Sequence, residues 1–100
     1  MTEERIRELF EADYPGLKTS LFDALPNKRA KQRDLHAFLL LAEIFPDAHR
    51  VIEGADHDII YIGPTVDDLV KSSITEEQIY ELNICGIFIS SEHDGLVKHV

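Results

Sequence analysis

The stretch from Asn27 to Pro46, NKRAKQRDLHAFLLLAEIFP, limits what this chain can fold into more than any other. From Leu35 onward it is apolar almost all the way round a helix. Leu35, Phe38, Leu39, Ala42 and Phe45 recur at three- and four-residue steps, and Leu40, Leu41 and Ile44 fill the adjoining face. A helix packed on one side only shows a narrower stripe, so the spacing predicts a central helix covered on two or three sides. It falls short of the ~20 consecutive apolar residues that a bilayer requires.

A chain of 100 residues, 44% apolar and 29% charged, can bury the core this helix calls for without disulfides or a structural metal, and is expected to form one domain. The N-terminus, MTEERIRELF, is charged from its third residue and has no continuous apolar run of a secretory leader. The single cysteine, Cys85, cannot close an internal disulfide. Both point to the cytoplasm.

Charge is unevenly spread. Residues 1–46 hold eight acids and seven bases; residues 47–100 hold eleven acids against Arg50, Lys71 and Lys98, so nearly all of the net −9 lies in the second half. A one-signed field over half a small domain repels nucleic acid and speeds encounter with basic partners, although it also serves solubility alone.

Taken in order, Thr2 caps a first helix whose apolar face is Ile6, Leu9 and Phe10, running to about Tyr14 before Pro15-Gly16. Thr19 or Ser20 caps a short second helix, with Leu21, Phe22, Ala24 and Leu25 inward. The third helix opens oddly, because Lys28, Arg29, Lys31 and Arg33 put four of the ten bases within six residues. At the positive end of a helix dipole, exposed cations cost ~0.3–1 kcal/mol each. Three arrangements relieve this: a helix that starts only at Asp34, acids from residues 47–100 folded over the cluster, or a bound anion at the helix start.

After Pro46 the pattern turns to short β-prone runs. Val51-Ile52 and Asp58–Ile62 read as strands with Gly54-Ala55-Asp56 as their turn, and Gly63-Pro64 closes the second. Thr65 caps a short helix with Asp67 and Asp68 in its first turn and Val66, Leu69 and Val70 inward. Thr75 and Gln78 form a capping box, Ile74 is placed to staple onto Ile79, and Gly86 offers a left-handed exit. Ile87–Ile89 then starts a strand, and Asp94-Gly95 signals a two-residue hairpin loop that would set Ile89 opposite Val100 and Ser91 opposite Lys98. Ile87, Ile89, Leu96 and Val100 would share the core face, and Phe88, Ser90, Glu92, Val97 and His99 the other. The expected fold is α+β: three N-terminal helices on a three- or four-stranded, mainly antiparallel sheet with two short helices, divided into a helical half (1–46) and a mixed acidic half (47–100).

Residues suited to catalysis are present without the spacing catalysis needs. His57-Asp58 and His93-Asp94 are sequence neighbours, which on a strand face opposite sides. His57 with His93 or His99 could meet across a sheet beside Asp56 or Glu92, but no H-x-x-x-H or C-x-x-C spacing of a zinc site occurs, and His36 and His49 stand apart. Cys85 near a helix end reads as a small buried hydrophobe. Ser90 and Ser91 lack a G-x-S-x-G setting, and the five glycines stand alone at turns. The expectation is no enzyme, no metal and no cofactor.

What remains is binding. The carboxylates expected to face a basic protein partner are Glu53, Asp56, Asp58, Asp67, Asp68, Glu76, Glu77, Glu81, Glu92 and Asp94. A competing reading makes Lys28, Arg29, Lys31 and Arg33 a nucleic-acid or anion contact, which the overall charge opposes. The C-terminal run TEEQIYELNICGIFISSEHDGL resembles the endings of small accessory proteins of phages and mobile elements. That resemblance implies an anti-defence role in the host cytoplasm, such as inhibiting a restriction or CRISPR nuclease. An immunity protein against a basic toxin nuclease fits the same charge pattern. Glu92 and Lys98 would guard the last strands against edge pairing, so a monomer with no membrane association is expected.

Overall fold

The computed structural model describes residues 1–92 and 95–99. Among these residues, five helices and four strands follow in the order α1 (Glu3–Glu11), α2 (Lys18–Asp23), α3 (Arg33–Ile44), β1 (Ile52–Asp56), β2 (Ile59–Thr65), α4 (Val66–Lys71), α5 (Glu76–Ile84), β3 (Ile87–Ile89) and β4 (Gly95–His99). The sheet is wholly antiparallel, in the order β1-β2-β4-β3. This is the α+β architecture expected of the sequence.

The helix starts with local chemistry fall where the sequence puts them. The Thr2 hydroxyl accepts the Arg5 N–H, and Thr65/Asp68 and Thr75/Gln78 each make a reciprocal capping box. Gly86 leaves α5 at φ +87, as a left-handed exit requires. Two starts differ. α2 begins at Lys18 behind Leu17, with no side-chain cap, so neither Thr19 nor Ser20 caps it. α3 begins at Arg33, one residue before Asp34, and Asn27–Gln32 lie outside it. α1 also stops three residues short of Tyr14, because its last carbonyls are taken up by another helix, as described below.

The β1–β2 turn is His57-Asp58, with His57 left-handed at φ 52, and not Gly54-Ala55-Asp56. Gly54 instead sits at a β-bulge, where the register slips between Ile52 and Gly54. Gly63-Pro64 does not end β2, which runs on to Thr65. In the last hairpin Ile89 faces Leu96 and Ile87 faces Lys98, so the register differs by four residues from the one the Asp94-Gly95 signal implies. Asp94 and Val100 lie outside the described residues, as does His93. The shift is even, so the face assignment survives: Ile87 and Leu96 are buried on the core side, with Ile89 partly so.

That core side carries Ile62, Leu96 and Ile87 against Ile6, Phe10, Leu69, Ile74, Ile79 and Leu82. Its centre is α5, which packs on α1, α2, α3 and β3. α3 does not hold the central place its composition suggests. Its Ala37, Leu40 and Leu41 are buried, but Leu35 and Leu39 are 48% and 40% exposed and Ala42 is exposed beside them. A Leu-rich segment can be uniformly apolar and still be covered on one side only.

Candidate functional site

Of the ten carboxylates expected to face a partner, nine lie among the described residues, and all but Glu81 sit near element ends or turns. Glu53 lies at the β1 bulge, Asp56 at the end of β1, and Asp58 in the turn after it. Asp67 and Asp68 are in the first turn of α4, and Glu76 and Glu77 in that of α5. Glu81 lies further along α5, and Glu92 follows β3; Asp94 lies outside the described residues.

Several of these carboxylates are occupied within the fold. Glu76 accepts from Arg5 at 3.0 Å, and this hydrogen bond raises the guanidinium pKa. Asp67 pairs with Lys71 at 2.8 Å and raises that ammonium pKa. Asp68 accepts the Thr65 backbone N–H at 2.8 Å, and Asp56 lies 3.7 Å from His57. Among the described residues no ion pair holds Glu53, Asp58, Glu77 or Glu92, and all four are exposed.

The carboxylates do not converge on one concavity. Glu53 and Asp68 line a cleft of ≈ 480 Å³, together with Asp47, His49, Arg50 and Lys71. Its wall is tight where a Cβ on Gly63 would collide with the Arg50 carbonyl; the Gly63 N–H donates to Val51 O at 2.8 Å. Glu77 and Glu81 border a second hollow of ≈ 260 Å³ with Arg29. Glu92 borders a third of ≈ 200 Å³ on the outer sheet face, where Phe88 stacks on His99 at 5.0 Å.

The basic cluster is largely consumed in holding the molecule together. Lys28 Nζ donates to the carbonyls of Asp23 and Leu25 at the end of α2, at 2.7 and 3.1 Å. Arg29 grips Glu43 with two bonds of 2.7 and 3.1 Å and lies 3.8 Å from Glu81. The Glu43 hydrogen bond raises the Arg29 pKa, and the same bond holds the Glu43 carboxyl below its usual range. Arg33 donates to Ile84 O at 3.2 Å, near the end of α5. Only Lys31 of the four has no such contact among the described residues. Of the three arrangements the sequence left open, the structure combines a late helix start with carboxylates over Arg29, one from α3 itself.

Three polar side chains inside the fold carry more structure than the sequence reading assigned them. His36 is fully buried; its Nδ1 accepts the Arg29 backbone N–H at 3.1 Å, which puts the ring proton on Nε2, facing Glu81 Oε1 at 3.1 Å. Asn83 Nδ2 donates to the carbonyls of Leu9, Phe10 and Ala12 at 3.1, 3.1 and 3.0 Å, closing α1 from a distant helix. Lys98 is not an edge guard. It lies on the internal strand β4, 3% exposed, with Nζ on Asp34 at 2.8 Å. A polar residue amid the inward positions of α5 (Ile79, Leu82, Asn83) was the signal that could have exposed Asn83.

Cys85 is buried, and that burial pushes its thiol up to about 11. Among the described residues no group of three or more His, Cys, Asp or Glu is placed to hold a metal ion, and no helix is long and apolar enough to cross a membrane. Compared with protein-family models, with curated proteins and with solved structures, the chain matches none.

Proposed function

We propose that this protein is an acidic binding module that blocks or regulates a basic, nucleic-acid-handling protein by occupying its anion-binding surface. One observation carries this reading: three of the four clustered bases are spent on internal contacts, while Glu53, Asp58, Glu77 and Glu92 stand exposed without a cation among the described residues. Arg29 is neutralised by Glu43, and Lys28 and Arg33 have donors held on backbone carbonyls, so fewer donors are free to grip phosphate while the unpaired carboxylates face outward. A restriction or CRISPR nuclease, or a basic toxin nuclease neutralised by its immunity protein, has the required chemistry. Because Glu53, Glu77 and Glu92 border three different hollows and Asp58 borders none of these, the contact is a broad surface and not a pocket.

The test is affinity capture with the full chain, at ~0.1 M and ~1 M salt, where screening lengths fall from ~10 to ~3 Å. A basic protein should be retained at low salt, be released at high salt, and be lost to Glu53→Lys/Asp58→Lys/Glu77→Lys. Gel shifts with duplex and single-stranded DNA should be blank. Retardation that weakens on Lys28→Ala/Arg29→Ala would instead make the protein a nucleic-acid accessory factor.

A further inference from the structure

The exposed side of α3 is the largest mismatch between what this sequence asks for and what the single chain supplies. Leu35, Leu39 and Ala42 recur at i, i+4 and i+7, on the side of the helix opposite to buried His36, Ala37, Leu40 and Leu41. Leu35 is 48% and Leu39 40% exposed, and among the described residues nothing covers the stripe they form. Contiguous exposed leucines on a helix mark an association surface more often than scattered ones do.

We infer that a second copy of this chain covers the stripe, the two α3 helices packing antiparallel about a twofold axis beside Leu39. Charge flanking the helix selects this occupant. Exposed Lys31 stands two residues before α3 and exposed Asp47 three residues after it, each without an ion-pair partner among the described residues, whereas the exposed acids of the helix itself, Asp34 and Glu43, are paired with Lys98 and Arg29. A surface that is basic at one end, apolar in the middle and acidic at the other complements itself when turned end for end. Leu39 then meets Leu39, Leu35 lies beside Ala42, and Lys31 of each copy lies beside Asp47 of the other. A uniformly basic partner of the kind proposed above would instead meet Lys31 with like charge, so that partner and the second copy use different surfaces.

A twelve-residue helix spans only ~18 Å, so this contact is smaller than an obligate interface and the dimer is reversible. It replaces the monomer expected from the edge-strand argument, which relied on a Lys98 that the fold buries.

Sedimentation equilibrium on the full chain tests this. The apparent mass should climb with concentration from 11.4 kDa toward twice that value. Leu39→Glu should hold it at 11.4 kDa with an unchanged circular dichroism spectrum, because the side chain is not part of the core. Lys31→Asp should weaken the dimer by about tenfold, and Lys31→Asp/Asp47→Lys should restore it, which keeps the test valid if Leu39→Glu unfolds. A mass of 11.4 kDa at every concentration overturns the inference. So does a dimer indifferent to both Leu39→Glu and Lys31→Asp, which would place the contact elsewhere, or a monomer that loses a different protein on Leu39→Glu.

Discussion

Asn83 shows how much one amide can hold. Its two N–H bonds reach three carbonyls at the end of α1, in a site 3% exposed, so a residue that cannot donate leaves them without that partner. Asn83→Leu should cost ~1–3 kcal/mol in denaturant titrations, or a melting temperature lower by ~4–8 °C for each kcal/mol. His36 makes a similar demand, since Arg29 N–H needs an acceptor and Glu81 a donor at the same ring. His36→Phe should cost at least ~1–3 kcal/mol by the same measurement, while Glu81→Gln, which keeps an acceptor, should cost less. Cys85 gives a pH signature. Its folded thiol titrates near 11 against ~8.5 when unfolded, so the folded state favours the protonated form. The stability it contributes is complete below ~8.5 and is lost as pH climbs towards 11; Cys85→Ala should flatten that decline in urea midpoints.

Among the elements, α3 is fastened by one buried face and by an ion pair towards each of its ends. Arg29 and Glu43 tie it to the preceding segment, and Asp34 ties it to Lys98 on β4. Glu43 titrates below its ordinary value of ~4.3, so its contribution is present above that pH and fades as acid carries it through the lowered folded value. Acid titration of stability should show this loss, and Arg29→Ala should remove it. For the Asp34–Lys98 pair, Asp34→Ala should destabilise more than Lys98→Met, because the first leaves an ammonium inside the fold and the second removes it. The ends of α4 and α5 were legible because a capping box involves four consecutive residues and nothing else. The hairpins were not. Gly54 suits a turn and a bulge equally, and β4 must satisfy β2 as well as β3, so pairing of Tyr61 with Val97 overrides the local Asp94-Gly95 signal.

At the scale of the whole molecule, composition and period sufficed for the α+β class, because every strand run follows Pro46 while the helices on either side of it carry their own caps or period. Which helix lies at the centre was not legible: α3 has the more apolar sequence, yet α5 makes the contacts, using Ile79, Leu82 and Ile84 on the side its neighbours occupy. Ile79→Ala, at a site with no exposure, should cost ~2–5 kcal/mol in an equilibrium melt, a large share of the ~5–15 kcal/mol available to a domain of this size. The surface was legible as charge but not as shape, since spacing in the chain does not say that Glu53 and Asp68 share a cleft while Glu77 and Glu92 border others. The amide that closes α1 lies 71 to 74 residues downstream of the carbonyls it binds, and α1 rests on α4, α5 and β3. On a ribosome, then, α1 emerges well before the elements it rests on and settles only after them. A nine-residue helix has little persistence in water by itself, so nascent chains stopped near residue 46 should remain open to proteases until the final third has been translated.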